Sequence, residues 1–254
     1  MLDGMFTKVK TTEEILSMRE SGKILASVLR KLQLQITEGM STKDLAEIAK
    51  AELRSSGGQP TFLGYDGFPD VLCVSVNDEV VHGIPRGSKF LKNGDVVSMD
   101  FGVTFNGMIT DAAITVIVGE SKNKQHIKLV NDTHKALLAG ISVVADGVKV
   151  GDIGYEIEKI LNNGKYGIVR DLVGHGVGHR LHEDPNIPNY GKPNSGPQLH
   201  KGMTIAIEPM ATLGDFSVVA DNDGWTMRTT DESIAAHFEH TVLITEQGAE
   251  ILTK

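Results

Sequence analysis

Two carboxylates, Asp100 and Asp111, stand inside the apolar run VVSMDFGVTFNGMITDAAITVIV from Val96 to Val118. Burying a carboxylate is costly unless a cation meets it, and the local sequence supplies none. Two such groups brought together share either a proton or a metal ion. Two more acids lie in strand-like apolar runs. In MTIAIEPM, Met203, Ile205 and Ile207 alternate with Thr204, Ala206 and Glu208, and in SIAAHFEHTVLI, Glu239 shares a face with His237 and Thr241. Taken singly, each acid reads as an exposed group on a half-solvated sheet; the four together point to a metal site. Histidines add nitrogen donors, since GHGVGHRLHEDP carries His175, His179 and His182. His175 and His179 have the i, i+4 spacing of a helical zinc site, but Gly174, Gly176 and Gly178 disfavour a helix and the glutamate of H-E-x-x-H is absent. The glycines suggest backbone passing close to something, with His175 and His182 reaching it from a strand or turn. His82, in VVHGIP, reads alone as a structural or solvated histidine.

These side chains need elements to position them. Asn106-Gly107 is a strong two-residue hairpin signal between strand-like runs. With that loop, Phe105 pairs with Met108, Gly102 with Asp111 and Asp100 with Ala113. Cross-strand partners share a face, so Asp100 and Asp111 become diagonal neighbours with backbones roughly 7–8 Å apart and carboxylates that converge. Gly102, lacking a side chain, is expected to leave space between them. The other face, with Val97, Met99, Phe101, Val103, Phe105, Met108, Ala112, Ile114, Val116 and Val118, is a core face that requires a helical cover.

Helical cover is available. After a short opening tail, Thr11 and Glu14 form a capping box ahead of Ile15, Leu16, Ile24, Leu25, Val28 and Leu29 at helical spacing. A second helix is predicted from Ser41 to the stop at Gly57-Gly58, and a third in SKNKQHIKLVNDTHKALLAGISVV; VLCVSV reads as a strand. The chain also repeats itself. EGMSTKDL, from Glu38, lies over DGVKVGDI, from Asp146, and LKNGDVVSMD, from Leu91, lies over LHKGMTIAIE, from Leu199. Both matches have the same offset of 108 residues, which suggests a duplicated helix-plus-strand unit and sets Asp100 over Glu208.

Composition narrows the function classes. At 254 residues and 40% hydrophobic, the chain can bury a full core as one large domain or two small ones. A net charge of -8 with no long basic run argues against nucleic-acid binding through phosphate contacts. The single cysteine, Cys73, rules out an intramolecular disulfide framework and fits a reducing compartment. No apolar stretch reads as a signal sequence or a membrane span, so the cytoplasm is the expected location.

In chain order, GYDGFPDVLCVSVNDEVVHGIP, DFGVTFNGMITDAA, GHGVGHRLHEDP, AIEPM and FEHTV resemble the upstream signature and the five-ligand dinuclear metal set of the type I methionine aminopeptidases. The resemblance covers nearly the whole chain. It implies an α/β (α+β) pita-bread fold, in which helices cover a curved antiparallel sheet in two pseudo-symmetric halves, about 12–120 and 121–254, of a single catalytic domain. By it, Asp100 would bind one metal, Asp111 and Glu239 would bridge, and His175 and Glu208 would bind the other, with Glu208 also the general base. His182 would stabilise the oxyanion and His82 would contact the peptide nitrogen after the first residue. The cofactors implied are two divalent ions, and an oxygen-rich set with one imidazole suits Co, Mn or Fe(II) as well as Zn.

The same resemblance assigns Phe62, Tyr65, Phe68, Cys73, Leu181 and Trp225 to an apolar slot for the methionine side chain. Phe68 and Leu181 depart from the family pattern, where Tyr and Phe are expected. The implied substrate is a nascent polypeptide or peptide with N-terminal Met and a small second residue. A monomer in passing contact with ribosomes is implied as well. The absence of a cysteine-rich zinc module, a basic extension or a type II helical insertion matches the compact bacterial kind. Two alternatives share the fold. A proline-directed aminopeptidase would use the same five ligands but generally carries an additional N-terminal domain; a non-enzymatic peptide-binding relative would typically have lost ligands that are all present here.

Overall fold

The capping box at Thr11 forms: its hydroxyl accepts from Glu14 N–H at 3.2 Å while Glu14 Oε2 accepts from Thr11 N–H at 2.8 Å. It starts α1 (Thr12–Gln35) in a computed structural model that describes residues 6–254; Met1 to Met5 of the opening tail lie outside the described residues. Ser41 and Asp44 make a second capping box at the start of α2 (Thr42–Ser56), and Gly57, at φ 77°, ends it. The third and fourth helices are α3 (Lys124–Ser142) and α4 (Val150–Gly164). The strands follow in chain order: β1 (Gln59–Pro60), β2 (Cys73–Val76), β3 (Glu79–Val81), β4 (Val96–Phe105), β5 (Met108–Ile117), β6 (Gly167–Ile168), β7 (Gly174–Gly176), β8 (Glu183–Ile187), β9 (Thr204–Ile207), β10 (Met210–Thr212), β11 (Val218–Ala220), β12 (Met227–Thr229), β13 (Ala235–His237), β14 (His240–Ile244) and β15 (Ala249–Ile251).

β4 and β5 pair in the register read from the sequence, with Phe105 opposite Met108, Gly102 opposite Asp111 and Asp100 opposite Ala113. One face, including Val97, Met99, Phe101, Val103 and Ala112, packs under Leu25, Val28, Leu29 and Leu32 of α1 and Leu45, Ala49 and Leu53 of α2. Two details differ from expectation. Leu16 is 54% exposed, because the buried stripe of α1 runs through Met18, Ser21, Gly22 and Leu25 and leaves position 16 off it. Thr110 belongs to the core face, where its hydroxyl pairs with Ser21 Oγ at 2.8 Å.

The repeat is visible bond by bond. Met40 O accepts from Leu91 N, and 108 residues on Val148 O accepts from Leu199 N, both at 2.8 Å. Ser41 bridges Phe90 as Lys149 bridges Gln198. Gly39 and Gly147 turn with φ near 86° and 84°. α2 and α4 have the same length and start 108 residues apart. In the second half, α3 and α4 supply Leu129, Leu137, Ile153 and Ile157 against Ile205, Ile207 and Val242 of β9 and β14. The halves meet where β5 lies beside residues 237–241: Ala113 and Glu239 exchange backbone hydrogen bonds, and Thr241 Oγ1 bonds both N–H and C=O of Asp111.

Glu208 and Glu239 do not sit within strands as expected. Each lies in a two-residue break, between β9 and β10 and between β13 and β14. β9 and β14 belong to a five-stranded sheet, β10 and β13 to a three-stranded one, so the chain crosses between sheets at both breaks. The breaks are side by side, with Phe238 N–H donating to Pro209 O at 3.3 Å. This bend turns both acids toward the β4–β5 hairpin.

Candidate metal centre and substrate pocket

Asp100, Asp111, His175, Glu208 and Glu239 line one cavity of about 390 Å³, together with His82, His182, Phe62, Tyr65, Phe68, Cys73, Leu181 and Trp225. All the residues singled out from the sequence therefore come together. Among the described residues lining it there is no lysine or arginine. Asp100 Oδ1, Asp111 Oδ1 and Glu239 Oε1 are buried with no hydrogen-bond partner. Leaving such oxygens unpaired is expensive, and a cation is the partner their number and sign demand. Ligand atoms of Asp111, His175 and Glu239 all lie within 4.8 Å of one another, so one ion can touch the three. The residues fit a metal.

His175 enters from β7, where glycines flank it: a Cβ on Gly174 would stand 2.4 Å from Ala206 O, so only glycine lets the strand lie this close to β9. Its Nδ1 is 2.8 Å from Gly176 O. Nδ1–H donates there, which leaves the Nε2 lone pair facing the acids, 3.6 Å from Glu208 Oε1. Burial, with His182 adding to it, pulls the His175 pKa down to about 3, so the ring is neutral and able to ligate. Burial pushes Glu208 up to about 8. Burial and then Glu208 push Asp111 up to about 7. Asp100 and Glu239 are driven well above the usual carboxylate range by burial first and by the neighbouring acids next.

His82 adopts a left-handed backbone, φ 59°, uncommon for a non-glycine residue and a mark of strain held for a purpose. Burial lowers its pKa to about 4. His182 lies with its ring 4.5 Å from that of His175, centroid to centroid, and its Nδ1 is 2.8 Å from the Tyr65 hydroxyl. Beside these polar groups Phe62, Phe68, Cys73 and Leu181 form a buried apolar cluster bordered by Tyr65 and Trp225. Phe68 meets Trp225 edge-on at 5.2 Å. Gly102 does not leave space between the two aspartates; a Cβ there would stand 2.6 Å from Phe62 Cε1, so its missing side chain makes room for Phe62.

Sequence reasoning gave His237 no role, although it noted the shared face with Glu239. Its Nε2 lies 3.3 Å from Glu208 Oε2, and the ring is 1% exposed. Its position two residues before Glu239, in an apolar run, was the available signal. The exposed Asp66, Asp171, Asp184 and Asn186 at the cavity's mouth carried no periodic signal because they sit in turns and on alternate positions of β8.

Comparison with known proteins agrees with this geometry. The sequence profile of metallopeptidase family M24 matches residues 17–246. Methionine aminopeptidase 1 of Bacillus subtilis is 45% identical over 96% of this chain and 98% of its own length. The crystal structure of methionine aminopeptidase from Thermotoga maritima superposes with a TM-score of 0.96 at 45% identity, covering 98% of this chain and all of that one. The prolidase of Pyrococcus furiosus shares the fold at lower similarity, TM-score 0.77 and 25% identity, and the match spans 65% of its chain. From the cluster of acids around His175 and this likeness over nearly its whole length, the chain belongs to metallopeptidase family M24 and, within it, to the methionine aminopeptidases.

Proposed function

We propose that this chain removes the N-terminal methionine from nascent proteins and peptides with a small second residue, by hydrolysis of the first peptide bond at a dinuclear metal site. The observation that carries this reading is the sharing of one cavity by partnerless buried carboxylate oxygens and an aromatic-lined apolar slot. Asp100, Asp111, Glu239, His175 and Glu208 would hold two divalent ions, whose four carboxylates offset the ions' charge. Bound there, the ions would lower the pKa of a water and offset the negative charge of the transition state.

The chain's own groups do the rest. Glu208 accepts the water's proton as oxygen attacks the scissile carbonyl, then returns it to the leaving nitrogen. Tyr65 O–H donates to His182 Nδ1, which leaves Nε2–H as a donor to the carbonyl oxygen as it becomes an oxyanion. His82, kept neutral by burial, accepts from the N–H of the bond being cut. Phe62, Tyr65, Phe68, Cys73, Leu181 and Trp225 receive the methionine side chain; aromatic edges and a thiol suit a polarizable thioether. The buried Cys73 thiol, with its pKa raised by burial, is unreactive and serves as packing.

Action on nascent chains puts the enzyme in the cytoplasm, as a monomer in passing contact with ribosomes. No helix of the described residues is long and apolar enough to cross a membrane. The testing experiment follows methionine release from Met-Ala-Ser by metal-stripped protein before and after adding Mn(II) or Co(II), with Ala-Pro-Ala as control. Metal-dependent cleavage of the first peptide alone is expected. Cleavage of the control instead would move the chain to proline-directed hydrolysis, and cleavage of neither would leave a binding protein.

A further inference from the structure

His179 is the one histidine of GHGVGHRLHEDP that the metal centre leaves out. Its Nε2 lies 2.7 Å from Glu14 Oε1 in the first turn of α1, so a helix of the first half touches the turn that leads to His182. Beneath that turn is a buried ion pair. Lys10 Nζ is 3.2 Å from Glu183 Oε2, and neither side chain has any exposed surface. The Glu183 Oε1 atom accepts the backbone N–H groups of His179 at 2.7 Å and Arg180 at 3.0 Å. One carboxylate therefore ties down the backbone immediately before Leu181 and His182.

The ammonium is fully used: Lys10 Nζ also donates to Thr7 Oγ1 and to Lys8 O, each at 3.1 Å. Lys10 itself is anchored, its N–H donating to Gly202 O at 2.8 Å, while Thr7 Oγ1 donates to Thr204 O at 3.2 Å. A Cβ on Gly178 would stand 2.4 Å from Lys10 Cε, so the glycine lets the turn rest on the lysine stem. From the other side Ile109 N–H donates to Gly178 O at 2.8 Å, two residues from Asp111. Burying an ion pair adds little net stability against an apolar pair of the same volume, so its presence here calls for a reason of geometry.

We propose that Lys10 is a positioning residue for the reaction: through Glu183 it fixes the turn from Gly178 to His182, so that His182 Nε2 faces the scissile carbonyl and Leu181 closes the methionine pocket. The proposal rests on the role given to His182 above. It explains why the segment before α1 crosses to the second half, and why His179 faces Glu14 instead of the metals.

The test is a double-mutant cycle on metal-loaded full-length protein with Met-Ala-Ser. Lys10→Met keeps the stem and removes the charge. It is expected to lower kcat roughly 10- to 100-fold, the scale of a misplaced catalytic group. In the His182→Ala background the same change is expected to matter no more than about twofold, the limit of additivity between independent sites. Mn(II) affinity stays the same in both. Equal falls in the two backgrounds, or no fall in either, would overturn the proposal alone. Full activity of His182→Ala by itself would overturn the role of His182 and the proposal with it. Should Lys10→Met fail to fold, Glu14→Gln, which loosens the partly exposed contact to His179, decides: a smaller fall that disappears with His182→Ala supports the proposal, and an additive one overturns it.

Discussion

Burial without a counter-charge sets the protonation of the acids. Asp111, pushed up to about 7, and Glu208, pushed up to about 8, must lose protons before they can hold a cation. Metal therefore competes with protons, and Mn(II) affinity is expected to fall as pH drops from about 8 to about 6, by about tenfold per pH unit for each proton displaced. Isothermal titration at several pH values reads this directly, and affinity that does not change across the window would contradict it. The metal-free fold responds with the opposite sign. Carboxyls whose folded pKa is raised stabilise it at low pH, and that contribution is lost as pH rises through about 7 to 8. The buried His82, His175 and His237, depressed to about 4, 3 and 3, contribute above their unfolded pKa of about 6.5 and lose this as pH falls. At this scale the acids were legible because a charge in an apolar run has few explanations. His237 was not, because an imidazole is at home in a core, and Gly102 was misjudged because the strand pairing says nothing of Phe62, which arrives from forty residues earlier.

At the scale of elements, the hairpin of β4 and β5 carries Asp100 and Asp111 at fixed register, and its turn decides that register. Asn106 and Gly107 have φ of 48° and 77°, the left-handed pair that a two-residue loop needs to match the strand twist. Gly107→Ala is expected to cost about 1 kcal/mol in urea unfolding, since an L side chain there pays the left-handed penalty, with open space around it adding no clash. An unchanged midpoint would show that the strand faces alone hold the register. The strand parity was readable from Asn106-Gly107 and the alternation around it. The breaks at Glu208 and Glu239 were not, because alternation of apolar residues continues through a crossing between sheets as it does through a straight strand.

Across the whole molecule, two copies of a helix-plus-strand unit, each with its own core under two helices, face each other and leave the acids in the seam. Neither half holds the site alone: Asp100 and Asp111 come from the first, His175, Glu208 and Glu239 from the second. The offset of 108 residues was readable because each copy keeps its turn glycines and its capping position. The contact of Lys10 with Glu183 was not, since a lysine near the start of a chain looks the same whether solvated or buried. The bridging of two ions by Asp111 is what the seam exists to provide, and Asp111→Asn tests it most directly. Circular dichroism and Mn(II) titration, run beside turnover of Met-Ala-Ser, are expected to give a folded variant with weakened or single-ion binding and no activity, against two ions per chain for the parent protein. Full turnover by the folded variant with metal present would contradict a shared bridging site.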